Sequence, residues 1–236
     1  MSALPRIFSS LPIQHTDEYG YDCPKLGQHV YRQPWKFFPV DNNNYSGRTN
    51  QRIQFTFPNN CVYDMTAGYM TLLVSLSTGN TNLPGNVDPP YVRMRMGVWT
   101  LIRRMRHLDN MQPLEEIYPY NQIYSLRWRL FQNQVYGNAI GPDLLGIGTQ
   151  AMRNAWGASV TPVQFVLPID LEFLRSGPFP VKYMANTQTL EMDLEDPSIC
   201  METNMILPNF VLSNLEFHVY KLLSAMPGTM STFNLV

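Results

Sequence analysis

From residue 51 onward the apolar residues of this chain recur at every second position. Ile53, Phe55 and Phe57 alternate with Arg52, Gln54 and Thr56, and Met70, Leu72, Val74 and Leu76 alternate with Tyr69, Thr71 and Ser75. Val92, Met94, Met96 and Val98 then alternate with Arg93, Arg95 and Gly97. A period of two sends successive side chains to opposite faces of a strand, whereas a helix needs its apolar residues three and four apart. Pro58-Asn59-Asn60 ends the first run, and a stretch rich in Gly, Asn and Pro (77–90) separates the second from the third. Amphipathic strands divided by turn chemistry predict antiparallel sheet with one solvated face.

Further strands are expected at 100–108, Val163–Leu167 and Val181–Met184. Two more are read from Leu190, Met192 and Leu194 alternating with Glu191, Asp193 and Glu195, and from Leu215, Phe217 and Val219. Between them, Pro119 opens a predicted helix running through Gln132, with Tyr120, Tyr124, Trp128 and Phe131 near one side and Ile123, Leu126 and Leu130 beside them. Residues 137–157 read as a Gly-rich loop. About eight strands with one helix inserted is the count of a jelly roll. The predicted fold is all-β: an eight-stranded antiparallel jelly-roll sandwich with one short inserted helix and extended N- and C-terminal arms.

The arms are set by composition. Residues 1–50 carry Pro5, Pro12, Pro24, Pro34 and Pro39, too many for a helix, and their aromatics (Tyr19, Tyr31 and Trp35 among them) are unlike a disordered tail. They are expected to form an extended N-terminal arm lying on the body or on a neighbour, with contact to a neighbour favoured at least in part. The jelly-roll domain then covers 51–223, and residues 224–236 form an uncharged C-terminal tail.

Charged residues are 15% of the 236, against about a quarter in ordinary soluble domains, while apolar residues are 44%. So weakly charged a surface suits a chain that buries much of its outside against neighbours. The net charge of −1 gives no bulk attraction to nucleic acid or anionic lipid. Apolar runs such as 69–74 are too short to span a bilayer, and Pro5 and Arg6 stand where a secretory signal needs an apolar stretch. Cys23, Cys61 and Cys200 are odd in number and widely spaced, which predicts free thiols and a reducing compartment.

No chemistry-bearing pattern stands out. His15, His29, His107 and His218 are isolated from one another and from the cysteines, so no metal site is predicted; His218 reads as a plain surface residue. There is no G-x-S-x-G, and Gly146-Ile147-Gly148 lacks the further glycine and the G-K-[ST] of a phosphate loop. The pairs Glu115-Glu116 and Glu195-Asp196 are sequence neighbours whose side chains diverge. No catalytic residue, cofactor or metal ligand is expected, and no enzymatic activity is predicted.

Arginine placement does depart from background. Seven of the thirteen arginines lie between 93 and 129: Arg93, Arg95, Arg103, Arg104, Arg106, Arg127 and Arg129. A basic stripe can grip phosphates, but lysine is absent from it, and the planar guanidinium is the group favoured for carboxylate pairing at interfaces. Glu191, Asp193, Glu195, Asp196 and Glu202 are available as counterparts. Ion pairing, within or between subunits, is preferred over nucleic-acid contact.

Four stretches in order resemble viral single jelly-roll capsid (coat) proteins. QRIQFTFPNNCVYDMTAGYMTLLVSL is similar to their opening strands, a strand ending in proline followed by an Asp-containing turn and a second apolar strand. LIRRMRHLDNMQPLEEIYPYNQIYSLRW resembles the segment where a strand leads through Leu114, Glu115, Glu116, Ile117, Tyr120 and Asn121 into a short helix. VQFVLPIDLEFLRSGPFPVKYMANTQTLEMDLED and SNLEFHVYKL resemble the later strands. The resemblance implies a subunit that assembles, with copies of itself or with other capsid proteins, into an icosahedral shell enclosing a genome. It would do so inside the host cell and reside in the virion.

Two departures qualify that expectation. The arm carries only Arg6, Lys25, Arg32, Lys36 and Arg48, fewer than a genome-binding arm, so genome contact is not expected through it. The chain is also too short for a double jelly roll. The rival reading is a cellular or viral jelly-roll binding module for a glycan or receptor, using the loops at Asn42–Tyr45 or 80–88.

Overall fold

The computed structural model describes residues 30–41, 44–49, 51–79, 81–86, 88–131, 141–167, 169–172 and 177–224. Most of the expected N-terminal arm and nearly all of the C-terminal tail lie outside the described residues. The chain runs β1 (Val30–Phe37), β2 (Asn44–Ser46), β3 (Arg52–Phe57), β4 (Val62–Ser77), β5 (Val92–Met94), β6 (Ile102–Asp109) and β7 (Gln112–Ile117). Three helices follow, α1 (Tyr120–Phe131), α2 (Gly141–Leu145) and α3 (Gln150–Gly157), then β8 (Val163–Leu167), β9 (Pro178–Phe179) and β10 (Gln188–Leu194). The one-turn α4 (Pro197–Cys200), β11 (Met201–Thr203) and β12 (Asn209–Ser224) complete it.

Two sheets carry the fold. One has the order β1-β12-β4-β8, with β2 also on β12 and β9 on β4; the other has the order β3-β10-β6-β7. Every pairing is antiparallel. Among the eight strands of these two paths, the first pairs with the last (β1–β12), the second with the seventh (β3–β10), the third with the sixth (β4–β8) and the fourth with the fifth (β6–β7). A long antiparallel ribbon nested in this way and rolled across two sheets is a jelly roll.

The alternation explains the packing. Ile53, Phe55 and Phe57 of β3 point inward and are fully buried, as are Met70 and Leu72 of β4 and Phe217 of β12. Phe217 lies 6.2 Å from Phe55 and 6.2 Å from Phe57 between ring centres, and 6.1 Å from Phe37. Residues of both sheets thus share one aromatic layer, completed by Tyr63 and Phe179 against Phe37 and Phe57. Each such side chain contributes about 1.5–3 kcal/mol through burial.

The structure corrects the sequence reading in several places. Residues 30–46, taken there as part of an arm ending at residue 50, include β1 and β2, which hydrogen-bond to β12. Pro34 is admissible because β1 is an edge strand. The stretch 137–157 is not only loop. It contains α2 and α3, the latter capped by the Thr149 hydroxyl, which accepts from the Met152 amide. At the end of α3 a side chain at Gly157 would meet the Val92 carbonyl oxygen at 1.7 Å, so glycine there is a condition of α3 packing on β5.

The expected strand over 92–98 stops at Met94, the stretch Val98–Leu101 is a 3-10 turn, and Val181–Tyr183 is another rather than a strand. Ile123, Leu126 and Leu130 of α1 face outward, while Tyr120 and Trp128 are buried, Trp128 against Trp99. Nor does β10 have a solvated face: all seven of its residues are buried. No helix among the described residues is long and apolar enough to cross a membrane.

His107 on β6 is buried, its Nε2 2.7 Å from the Gln188 Oε1 and its ring edge-on to Phe179. Burial pushes its pKa below the usual 6.5, outweighing the opposing pull of Gln188, Glu115 and Asp109. An unfolded chain therefore takes up a proton near pH 6.5 that the folded chain binds only at lower pH. The stability this site contributes is intact above that value and is lost as pH falls from 6.5 toward the folded pKa. Melting temperature should drop more steeply between pH 7 and pH 5.5 (roughly the range of histidine titration) for the native chain than for His107→Asn. Parallel slopes would show that His107 does not carry the effect.

Candidate functional site

The outward face of the sheet β3-β10-β6-β7 is where the sequence-predicted charges meet. Register places Glu191 opposite Arg106 and Asp193 opposite Arg104 on the neighbouring strand. Directly opposed residues on one face of a sheet are within side-chain reach. Arg106 donates from Nε to Glu191 Oε1 at 2.6 Å and pairs with it again through Nη2. Arg104 forks onto Asp193, with Nε at 2.8 Å and Nη2 also in contact, and lies 4.0 Å from Glu116 of β7.

From the other side, Arg52 of β3 lies 3.4 Å from Asp193 and 3.8 Å from Glu191, and Gln54 donates to Glu191. Stacked guanidinium stems cover the carboxylates, leaving Glu191 only 1% exposed. Burial alone would lower the Arg104 pKa, but Asp193, Glu116 and Glu191 together raise it, so the guanidinium stays charged. The result is a charge-neutral lattice of bidentate bonds.

The other candidates fall elsewhere. Arg93 on β5 is buried, donating to Glu202 at 2.7 Å and to Asn154 at 3.0 Å, with its guanidinium over the Tyr91 ring. Arg127 on α1 pairs with Asp170. Glu195 accepts from Asn121 at 2.8 Å and from the Asp196 amide at 3.0 Å. Asp196 caps α4, accepting from the hydroxyl and amide of Ser198, and those bonds hold its carboxyl below the usual range.

Arg95, Arg103 and Arg129 are different. All three are exposed, and none has a carboxylate within 4.0 Å among the described residues. Among the described residues, the Arg95 side chain reaches the Met201 carbonyl, at 3.4 Å, and that of Arg129 the Met96 sulfur, at 3.7 Å. Both line a cleft of 490 Å³ between the outward face of α1 and α4, with Leu126, Met96 and Ile199. Glu202 also lines it but is held by Arg93.

The arginine cluster therefore divides. Arg93, Arg104, Arg106 and Arg127 are neutralised inside the chain, while Arg95, Arg103 and Arg129 have no carboxylate partner among the described residues. Sequence reading passed over Arg52 and Gln54, which stand apart from the cluster; their shared polar face on β3 was the available signal. His218, read as a plain surface residue, instead stacks on Tyr69 at 4.6 Å and lies 3.3 Å from Glu216. Among the described residues no group of three or more His, Cys, Asp or Glu is placed to hold a metal. Cys61 and Cys200 are buried free thiols, and burial raises the Cys200 thiol well above its usual pKa.

Fold and surface together define a jelly-roll β-sandwich with one self-neutralised sheet face. No protein-family profile matches the sequence, and no curated protein is similar to it. Among solved structures, the chain is similar to the PBCV-1 virus capsid (10% identical, covering 87% of this chain and 45% of that chain, TM-score 0.49). It is also similar to the Faustovirus major capsid protein (12% identical, 85% and 56% covered, TM-score 0.47). A third similar structure is that of the Sputnik virophage (12% identical, 96% and 53% covered, TM-score 0.49). The chain spans about half the length of these proteins. Its assignment to the jelly rolls stands on its own strand order.

Proposed function

We propose that the chain is a structural coat protein, a jelly-roll subunit that self-assembles into an icosahedral viral shell around a genome. The observation that carries this reading is the unburied apolar surface running along β7 and α1. Leu114, Tyr118, Ile123, Leu126 and Leu130 are all large and all exposed. Apolar surface of that extent is costly to leave in water and marks a face that meets another protein.

The neutral lattice on the adjoining sheet supports the same reading, since it gives neighbouring copies no net charge to repel. The motif order noted in the sequence points the same way. On this reading the chain resides in the virion, and its free Cys61 and Cys200 suit assembly in the reducing interior of a host cell. Arg95, Arg103 and Arg129 are the described cluster members left to meet a phosphate or a neighbour's carboxylate.

Light scattering and negative-stain microscopy of the purified chain test the proposal. Shells or ring-shaped oligomers such as trimers or pentamers are expected. A stable monomer at high concentration that binds a glycan would overturn it in favour of a binding module.

A further inference from the structure

The β6–β7 hairpin ends in a two-residue turn, Asn110-Met111, with φ of 47° and 68°. Both residues occupy the left-handed region that such tight hairpins require, where Asn and Gly are the usual occupants. Asn110 fits that rule. Met111 does not: an unbranched apolar side chain stands in a conformation that favours glycine, and it is 62% exposed. Neither turn chemistry nor the core explains it, and a residue held in an unfavourable conformation at the surface points to a function. Three residues on, Leu114 is 63% exposed, and the exposed Glu172, whose amide donates to the Glu115 carboxylate, shares a depression with Leu114. The hairpin thus presents two exposed apolar side chains, Met111 at its turn and Leu114 on β7, with an acid near the latter, and Glu172 has no cation within 4.0 Å among the described residues.

Away from this tip, past the other end of β7, lies the cleft between α1 and α4. It offers the complementary chemistry: Leu126 and Ile199, 59% and 52% exposed, with the unpaired Arg95 and Arg129. Its volume of 490 Å³ falls within the roughly 300–1,000 Å³ of clefts that hold a ligand group. We infer that the knob formed by Met111 and Leu114 enters this cleft on a second copy of the chain, with Glu172 meeting Arg129 or Arg95. The inference deepens the coat-protein reading and rests on it. The two patches are different surfaces of one molecule. Made once per copy and repeated, the contact closes into a ring or continues as an open array; made reciprocally between two copies, it closes a two-fold dimer.

Mixing variants of the full-length chain tests this. M111D/L114D removes the knob and keeps the cleft; R95E/R129E does the reverse. Each alone should raise the concentration needed for assembly by about 100-fold, as loss of a central interface anchor does. Mixed, they should give a one-to-one heterodimer by analytical ultracentrifugation and nothing larger, because only one knob and one cleft remain competent. M111G/L114S is a second knob variant that adds no charge and suits the turn, and unchanged circular dichroism confirms folding. R129E with E172R should regain assembly that R129E alone has lost.

If the native chain stays monomeric, the coat reading fails and takes this inference with it. If the native chain assembles and the knob variants assemble at the same concentration, the interface alone is wrong. Unimpaired assembly of R95E/R129E together with lost nucleic-acid binding would overturn the inference and give the cleft to phosphate.

Discussion

Phe217→Ala should destabilise the chain by about 3–5 kcal/mol, the cost of emptying an aromatic site in a close-packed core. Phe217 is fully buried at the middle of β12 and touches rings from three other strand positions, Phe37, Phe55 and Phe57. Those rings belong to both sheets and are fixed by strand pairing, so they cannot close over the void. The hole would sit between the layers and weaken the contact that makes two sheets one domain. For a chain of this length, a loss of that size lowers the melting temperature by about 10 °C. Phe38→Ala serves as control. Phe38 is 61% exposed, and its removal should change stability by no more than about 0.5 kcal/mol. Equal shifts for the two variants in thermal or urea unfolding would refute the assignment of Phe217 to the core centre.

Arg106→Met should cost about 2–4 kcal/mol, for an electrostatic reason. The substitution keeps most of the apolar stem but leaves the Glu191 carboxylate, 1% exposed, without its two-pronged partner. Removing one member of a buried pair strands the other's charge, which costs more than the pair contributes when intact. Gln54 and Arg52 remain near Glu191 and keep the loss below the largest values known for such pairs. The decisive comparison is Arg106→Met with Glu191→Leu. Removing both charges should recover at least half of the loss, because nothing buried is then left unpaired except the weaker Gln54 donor. A double variant as unstable as the sum of the two single ones would show that the lattice acts as independent contacts.

Much of this was legible in the sequence. Alternation at 53–57 and 70–76 identified strands β3 and β4 and their inward faces, because a half-buried strand writes its two environments directly into a period of two. The pairing of Arg104 and Arg106 with Asp193 and Glu191 was foreseeable as chemistry but not as geometry: register between strands 85 to 89 residues apart is not a local property. The same limit hid β1. Trp35 and Pro34 read as arm because an edge strand has one partner and little alternation, and only β12 makes it a strand. β10 misled in the opposite sense. Its Glu and Asp positions looked solvated, but arginine stems from both neighbouring strands roof them over. The helices α2 and α3 are short and Gly-flanked, so their periodicity never accumulates. The cleft that takes Arg95 and Arg129 is assembled from α1, α4 and the segment after β5, and no single stretch announces it.

The nested strand order also has a consequence for the order of events in the cell. The bond between Lys36 and Glu216 joins residues 180 apart, and that between Gln54 and Glu191 joins residues 137 apart. A ribosome releasing this chain exposes β1, β3 and β4 long before their partners exist, and β12, which clamps β1 to β4, emerges last of the described strands. Contacts between such distant residues form slowly, after a large loop-closure entropy has been met. Until then the apolar faces of β3 and β4 are open to other chains. Synthesis itself thus sets a clock on when the nascent chain can close its two sheets over one another.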